Sequence, residues 1–301
     1  MIYTLTLSPS LDYTMYAEQM LIGKTNRSYS EELTYGGKGI NVTAALCALG
    51  KPSVALGFVG GKTGTLLSAL LKEAGIPNEL TPCVAPTRIN LKLSLSETGT
   101  EMNAGSFLVT EEEVSHLLSR LDALQSGDTL VLSGSLPRGI SADFYQALIT
   151  RVRARGVRTA LDASGDAFLC ALSARPFLVK PNRDELEAAI GTPLEDLDAL
   201  IDGMRRLQAM GAERVLLSLG AEGAMLLTEG GVLLSARAPR GRVKSAVGAG
   251  DTMLAAFLAS EEEGDEKALR YAVCAGSAVA FYGRPLRREA VDALLCKQDN
   301  G

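Results

Sequence analysis

Histidine is nearly absent from this 301-residue chain, His116 being the only one. A zinc site built on several histidines is therefore excluded, although one histidine still permits a Ser-His-Asp triad. A basic surplus is also lacking: 30 Lys and Arg stand against 35 Asp and Glu, for a formal net charge of −5. A protein whose main partner is nucleic acid needs a cationic surface to neutralise phosphates, so no nucleic-acid partner is expected. Paired cysteines are missing. Cys47, Cys83, Cys170, Cys274 and Cys296 are scattered, odd in number and without a C-x-x-C. That is neither a disulfide framework nor a zinc knuckle, and it points to a reducing cytoplasm. Long apolar runs are missing too. The opening MIYTLTLSPSLDY lacks a basic leader region, and the stretch Ala268 to Tyr282 is interrupted by Arg270. Both fall short of the ~18–20 apolar residues a membrane span requires, so no membrane association is expected.

Two nucleotide fingerprints are also absent. Gly60-Gly61-Lys62-Thr63 ends like a P-loop, but the motif needs glycine at position 56, which is Leu56. A dinucleotide fingerprint starting at Gly37 and Gly39 meets Val42 in its third slot. A nicotinamide oxidoreductase is therefore unsupported.

What is present is a well-cored chain with 47% hydrophobic residues and 31 glycines. β-branched or Leu-rich runs at 2–7, 54–59, 129–132, 158–161, 177–179 and 214–219 predict strands. Between and after them, helical periodicity covers 41–49, 65–74, 110–124, 142–154, 197–210, 250–262, 266–281 and 287–295. Thr110 before three glutamates is an N-cap signal. Such alternation predicts an α/β fold with a mostly parallel sheet covered on both faces. Two excursions, at about 13–34 and 87–104, alternate apolar and polar residues instead, as in Ile89-Asn90-Leu91-Lys92-Leu93-Ser94-Leu95. They predict antiparallel strands of one small lid sheet, with a hairpin turn at Glu97-Thr98-Gly99-Thr100. No repeat or linker divides residues 1–301, which read as a single domain.

Four clusters carry chemistry. Gly36-Gly37-Lys38-Gly39-Ile40-Asn41 precedes a helix, where glycines allow close backbone approach and the helix end offers free N–H groups. Val247-Gly248-Ala249-Gly250-Asp251-Thr252 enters an apolar helix and places a carboxylate beside exposed amides. That pairing suits phosphoryl transfer, with amides meeting the charge of the moving group and the carboxylate taking a hydroxyl proton. Lys180-Pro181-Asn182-Arg183-Asp184-Glu185 follows a strand; it reads either as a capped helix start or as oxygen donors that reach Mg²⁺ through water. Ser218-Leu219-Gly220-Ala221-Glu222-Gly223 ends a strand, where ligands of open α/β sheets gather, or is simply a tight glycine turn.

In this order the four clusters closely resemble the ribokinase-like (PfkB) carbohydrate kinases. Gly-Gly-Lys-Gly-x-Asn and Gly-Ala-Gly-Asp-Thr look like the two signatures of that family, and Asn182-x-x-Glu185 like its magnesium and phosphate motif. The resemblance implies a three-layer α/β/α sandwich with a β lid, and an ATP-dependent kinase using Mg²⁺. It implies Asp251 as catalytic base with Gly248, Ala249 and Gly250 forming the anion hole. ATP would be held by Lys180, Asn182, Ser218, Gly220, Ala221, Glu222, Gly223 and Gly250, and Mg²⁺ by Glu185 through water without a dedicated protein cage. Asp12 would grip the sugar, with Gly37, Asn41 and Asn103 nearby. Arg27, Lys38 and Arg88 are expected to gather around a phosphate on the sugar.

Thr87-Arg88-Ile89-Asn90, Asn26-Arg27 and Ser133-Gly134-Ser135-Leu136-Pro137-Arg138-Gly139 look like the phosphofructokinase and tagatose-phosphate kinase branch. Thr100-Glu101-Met102-Asn103 is more similar to its 1-phosphofructokinases. The resemblance thus implies phosphorylation of the 6-hydroxyl of fructose 1-phosphate, with tagatose 6-phosphate as the alternative substrate. A non-catalytic sugar-phosphate sensor is the alternative from another class, though a sensor needs no base. A homodimer through the lid is a further expectation, because an exposed sheet has edges to cover. His116 is expected at the surface.

Overall fold

Alternation along the strands sets the layering. The computed structural model describes residues 1–96 and 99–299, so Glu97 and Thr98 of the expected hairpin turn lie outside the described residues. In chain order the strands are β1 (Ile2–Thr6), β2 (Ser10–Ala17), β3 (Ser30–Gly36), β4 (Ser53–Gly60), β5 (Asn78–Cys83), β6 (Arg88–Leu95) and β7 (Gly99–Met102), then β8 (Thr129–Ser133), β9 (Arg158–Asp162), β10 (Leu178–Val179), β11 (Val215–Ser218), β12 (Ala224–Leu227) and β13 (Leu233–Ala236). The helices are α1 (Lys38–Ala48), α2 (Gly61–Glu73), α3 (Glu111–Leu121), α4 (Phe144–Arg153), α5 (Gly165–Leu172), α6 (Arg183–Ile190), α7 (Leu197–Ala209), α8 (Ala249–Ser260), α9 (Asp265–Tyr282) and α10 (Arg288–Asp299).

Nine strands form the main sheet in the order β13-β12-β11-β10-β9-β8-β1-β4-β5. All neighbours are parallel except β12, which runs against β11 and β13. Leu130, Leu132, Leu161, Val179, Val215 and Leu217 face one core, shared with Leu121 of α3, Leu148 of α4 and Met204 of α7. The alternate positions Val131, Ala160, Leu178 and Leu216 face the other, shared with α1, α8, α9 and α10 through Leu46, Phe257, Val273 and Val291. Each such fully buried Leu, Val or Phe contributes about 1.5–3 kcal/mol relative to exposure. The result is helices on both faces of a mostly parallel sheet. Among the described residues, no helix is long and apolar enough to cross a membrane.

From β1 the chain builds β4 and β5 to one side, then returns to build β8 to β11 on the other. The strand order therefore reverses between β1 and β8, and ligands of such sheets bind beyond the carboxyl ends at that point. α8 reaches this place from the second core. All its residues from Asp251 to Ser260 are buried, so this stretch of the helix has no solvent face.

The excursions at 13–34 and 87–104 carry a second sheet of four strands, ordered β3-β2-β6-β7. One expectation is corrected: β2 and β6, the central pair, run parallel rather than antiparallel. The reason is that β1 and β5 run in one direction within the main sheet, and each continues into a lid strand after a short turn. Leu11 of β2 packs with Ile40, Leu67 and Leu71 in a third cluster that seats the lid on α1 and α2.

Candidate active site

The glycine cluster opens α1, with Gly37 at φ 122° as the residue before the helix. Gly36, the last residue of β3, has a stronger constraint. A Cβ there would stand 2.3 Å from Ser10 Oγ and 2.4 Å from Asp12 Oδ1. Glycine is what lets this loop lie against the lid carboxylate.

Asp12 is buried on β2 and held on three sides. Ser10 Oγ donates to its Oδ1 at 2.8 Å, Asn90 Nδ2 to the same atom at 3.0 Å, and Lys92 Nζ pairs with Oδ2 at 2.8 Å. Burial alone would raise its pKa, but Lys92, Ser10 and Asn90 together bring it below the ordinary value, so it is ionised at neutral pH. A carboxylate offers about four lone-pair sites, so an acceptor remains for a ligand hydroxyl. Arg88 is half-buried beside it and spends three of its donors on the backbone. Its Nε and Nη2 reach Ser8 O at 3.3 and 3.1 Å, and Nη1 reaches Ala104 O at 3.1 Å. With five N–H donors, its guanidinium keeps two for a ligand.

A second knot lies at the strand ends. Asp162, the last residue of β9, is fully buried between Lys38 Nζ at 2.9 Å and Lys180 Nζ at 3.4 Å. Burial would raise the Asp162 pKa, but the two ammonium groups hold it down. Burial would likewise lower that of Lys38, yet Asp162, Glu185 and Asp251 raise it. Glu185 Oε1 lies 3.7 Å from Lys38 Nζ. Asp251 sits in the first turn of α8 and accepts from Asn41 Nδ2 at 2.8 Å. Burial first, and the Asp162 charge second, push its pKa up to about 6 against the partial relief of Asn41, Lys180 and Lys38.

At the start of α8 the amide of Ala249 already donates to Ala246 O at 3.1 Å. Ala249 is thereby corrected as an anion-hole donor. The amides of Gly250 and Asp251 have no acceptor among the described residues, and Gly248 at φ 80° turns the chain into the helix. A Cβ on Gly250 would meet Lys180 Nζ at 3.4 Å. Two free amides, a helix N-terminus and an ammonium thus converge on one spot beside a weakly basic carboxylate. An anion bound there would place its acceptor next to a proton-accepting group.

Asn182 and Glu185 cap α6 reciprocally: Asn182 Oδ1 accepts from Glu185 N at 2.8 Å and Glu185 Oε2 from Asn182 N at 2.9 Å. Ser218 bridges to Asn182, and its hydroxyl points to Pro181 O at 3.4 Å, so the segments after β10 and β11 lie side by side. Gly220 to Glu222 form a 3₁₀ turn closed by Gly223, with Ala221 between them, and exposed Glu222 meets Arg183 Nη2 at 3.2 Å.

The three expected phosphate-binding cations do not gather. Lys38 belongs to the Asp162 knot rather than to the lid. Arg27 is exposed in the loop joining β2 and β3 and makes no hydrogen bond or ion pair among the described residues. At about 3.4 Å per residue that loop stands roughly 13 Å or more beyond Asp12. Asn103 is exposed just after β7. Sequence reasoning missed Asp162, Lys92 and Arg284, whose Nη1 donates to Asn41 Oδ1 at 2.6 Å. Of these, Asp162 alone had a readable signal, an acid closing a strand before Ala163-Ser164-Gly165. His116 is exposed on α3, as expected.

A mostly parallel sheet with a lid, a buried carboxylate and an anion-attracting helix end are the parts a kinase of small molecules needs. Residues 6–285 match the model of the pfkB family carbohydrate kinases, and the chain belongs to that family. The 1-phosphofructokinase of Bacillus subtilis (strain 168) is 38% identical over 297 residues, covering 98% of this chain and 97% of the relative. The D-tagatose-1-phosphate kinase of Bacillus licheniformis is 34% identical over 284 residues, 93% of each chain. Among solved structures, phosphofructokinase-2 from Escherichia coli in complex with substrates and products superposes with a TM-score of 0.94 at 31% identity, covering 99% of each chain.

A kinase of this family takes a sugar and ATP, typically with a divalent cation. The donor set fits an ion that arrives on the nucleotide. Glu185 Oε1 is partly exposed and, among the described residues, reaches only Lys38, whereas Asp162 is enclosed by two ammonium groups. Among the described residues, no group of three or more His, Cys, Asp or Glu could hold a metal ion.

Proposed function

We propose that the chain transfers the γ-phosphoryl group of ATP to the 6-hydroxyl of fructose 1-phosphate, giving fructose 1,6-bisphosphate. The observation that carries this reading is the buried Asp251 carboxylate beside the free amides of Gly250 and Asp251, joined through Asn41 to the glycine loop that abuts Asp12. Asp12 orients the sugar hydroxyls and places the 6-hydroxyl against Asp251. As the new O–P bond forms and the bond to ADP breaks, the hydroxyl proton passes to Asp251. The Gly250 and Asp251 amides and Lys180 meet the charge on the moving phosphoryl group. Asn182, Ser218 and Gly220 to Gly223 line the nucleotide. Glu185 would hold a nucleotide-borne Mg²⁺ through water, and the ion would supply charge neutralisation for the nucleotide phosphates. Arg88 takes the phosphate already on the sugar through its two remaining donors.

The tagatose-1-phosphate kinase relative favours a second reading, in which the substrate is the C4 epimer with its phosphate likewise on C1. ADP release measured side by side with fructose 1-phosphate, tagatose 1-phosphate, tagatose 6-phosphate, fructose 6-phosphate and unphosphorylated fructose decides between them. Highest kcat/KM on fructose 1-phosphate is expected; a preference for either 6-phosphate would overturn the reading.

The chain is further read as one kinase domain with a two-excursion lid, working in the cytoplasm as a homodimer through the lid. Exposed Ile22, Tyr29, Ile89 and Met102 on the lid and its connecting loop support that interface. Sedimentation of the intact protein beside Met102→Glu tests it.

A further inference from the structure

Asn41 lies between two groups of opposite hydrogen-bonding character. Arg284, just beyond α9, donates from Nη1 to Asn41 Oδ1 at 2.6 Å, and Asn41 Nδ2 donates to Asp251 Oδ2 at 2.8 Å. A guanidinium only donates and an ionised carboxylate only accepts, so an amide between them has a single orientation. The arginine stem lies over the entry to α8: a Cβ on Gly248 would meet Arg284 Cδ at 3.1 Å.

We propose that Arg284 is a positioning residue that locks the Asn41 amide in the orientation matching an ionised Asp251, and so keeps the base ready to accept a proton. This deepens the reading of Asp251 as base and rests on it. Rotated by half a turn, the amide would present Oδ1 to Asp251, an arrangement that suits only the protonated acid. Arg284 opposes that state because the rotated NH₂ group would face its own donors. Its charge also polarises the amide along the chain of two hydrogen bonds, strengthening the donor aimed at Asp251. The other charged groups around Asp251 are Asp162 at the end of β9, Lys38 at the start of α1 and Lys180 after β10. α9 meets this end of α8 at Gly276, facing Ala249. Arg284 touches neither Asp162 nor Lys180 by any hydrogen bond or ion pair among the described residues, so its influence runs through Asn41.

The test is the pH dependence of kcat/KM for the intact enzyme and its Arg284→Met, Arg284→Lys, Asn41→Ala and double Arg284→Met/Asn41→Ala variants. Arg284→Met should move the acid limb upward by about half to one pH unit, so that kcat/KM falls by less than about twofold at pH 7 but by roughly three- to tenfold near pH 5, leaving KM for ATP nearly unchanged. Arg284→Lys, which still donates to Oδ1, should bring the limb back toward the parent. The double variant should match Asn41→Ala, because both break one chain. Asn41→Ala carries the same test if Arg284→Met does not fold. An unmoved limb in Arg284→Met, a limb that Lys does not restore, or independent addition of the two displacements overturns the proposal. Asp251→Asn runs in parallel. Parental turnover there would remove the base itself, whereas an inactive Asp251→Asn beside an unmoved limb in Arg284→Met refutes only the positioning role.

Discussion

Asn41 and Asp251 stand 210 residues apart in the chain and are joined by a hydrogen bond of 2.8 Å. The bond ties the first glycine cluster to the second, and with it the loop that abuts the lid to the helix that carries the base. It also relieves part of the cost of burying Asp251, as Lys180 and Lys38 do.

Asp251→Asn should lower kcat by at least the ~10²–10⁴-fold associated with a general base. Binding of the sugar phosphate, measured by calorimetry, should persist, because Asp12 and Arg88 are untouched.

The same substitution should stabilise the protein at neutral pH. Folding raises the Asp251 pKa from 3.8 to about 6, so the ionised form is penalised in the folded state. That penalty is absent below about pH 4, grows as pH rises and is complete above about pH 6. Thermal unfolding should therefore show Asp251→Asn more stable than the parent by about 1–3 kcal/mol at pH 8, with the gain gone near pH 4.

The activity profile follows from the same group. kcat/KM should rise with pH through an apparent value near 6, as Asp251 becomes able to accept a proton. Because Asp162 and Asp251 interact, the midpoint belongs to the cluster rather than to one residue. A profile flat from pH 5 to pH 8 would exclude Asp251 as the base.

Lys92 is the cation facing Asp12, at 2.8 Å. Lys92→Met leaves that carboxylate buried without its ion pair and raises its pKa. The KM for the sugar phosphate should rise roughly tenfold or more, with the KM for ATP held within about twofold. Equal changes in both constants would place Lys92 outside the sugar site.

Arg88→Lys should fail to substitute for the arginine. A lysine cannot bridge Ser8 O and Ala104 O while keeping two donors for a phosphate. Both Arg88→Lys and Arg88→Ala should raise the KM for the sugar phosphate by roughly tenfold, and parental values in Arg88→Lys would count against a fork-shaped contact.

Much of the α/β alternation is legible in the chain because periodicity is local. Leu130, Val131 and Leu132 face alternate cores, as a strand covered on both faces requires. Thr110 and Glu113 form the capping box that opens α3. β5 is hidden because Asn78, Glu79 and Pro82 make this edge strand read as a loop. The hairpin of β12 and β13 was not predicted, although two apolar runs flank Gly230-Gly231, a turn signal.

Histidine, paired cysteine and basic surplus are scarce in a chain whose inferred chemistry uses an aspartate, backbone amides and lysines instead. The sequence alone determined the order of the four clusters and the two glycine-bounded helix starts, because glycine conformation and helix ends are properties of neighbouring residues. Only the tertiary structure decided which charges meet. Lys38 was placed with Asp162, 124 residues away, rather than with a lid phosphate, and Arg27 was left outside the group. The carboxyl ends of β9, β10 and β11 converge with the start of α8 through the strand order, and strand order is set by packing over the whole chain. The base strength of Asp251 follows from that convergence, since burial and the Asp162 charge act across space and leave no mark along the sequence.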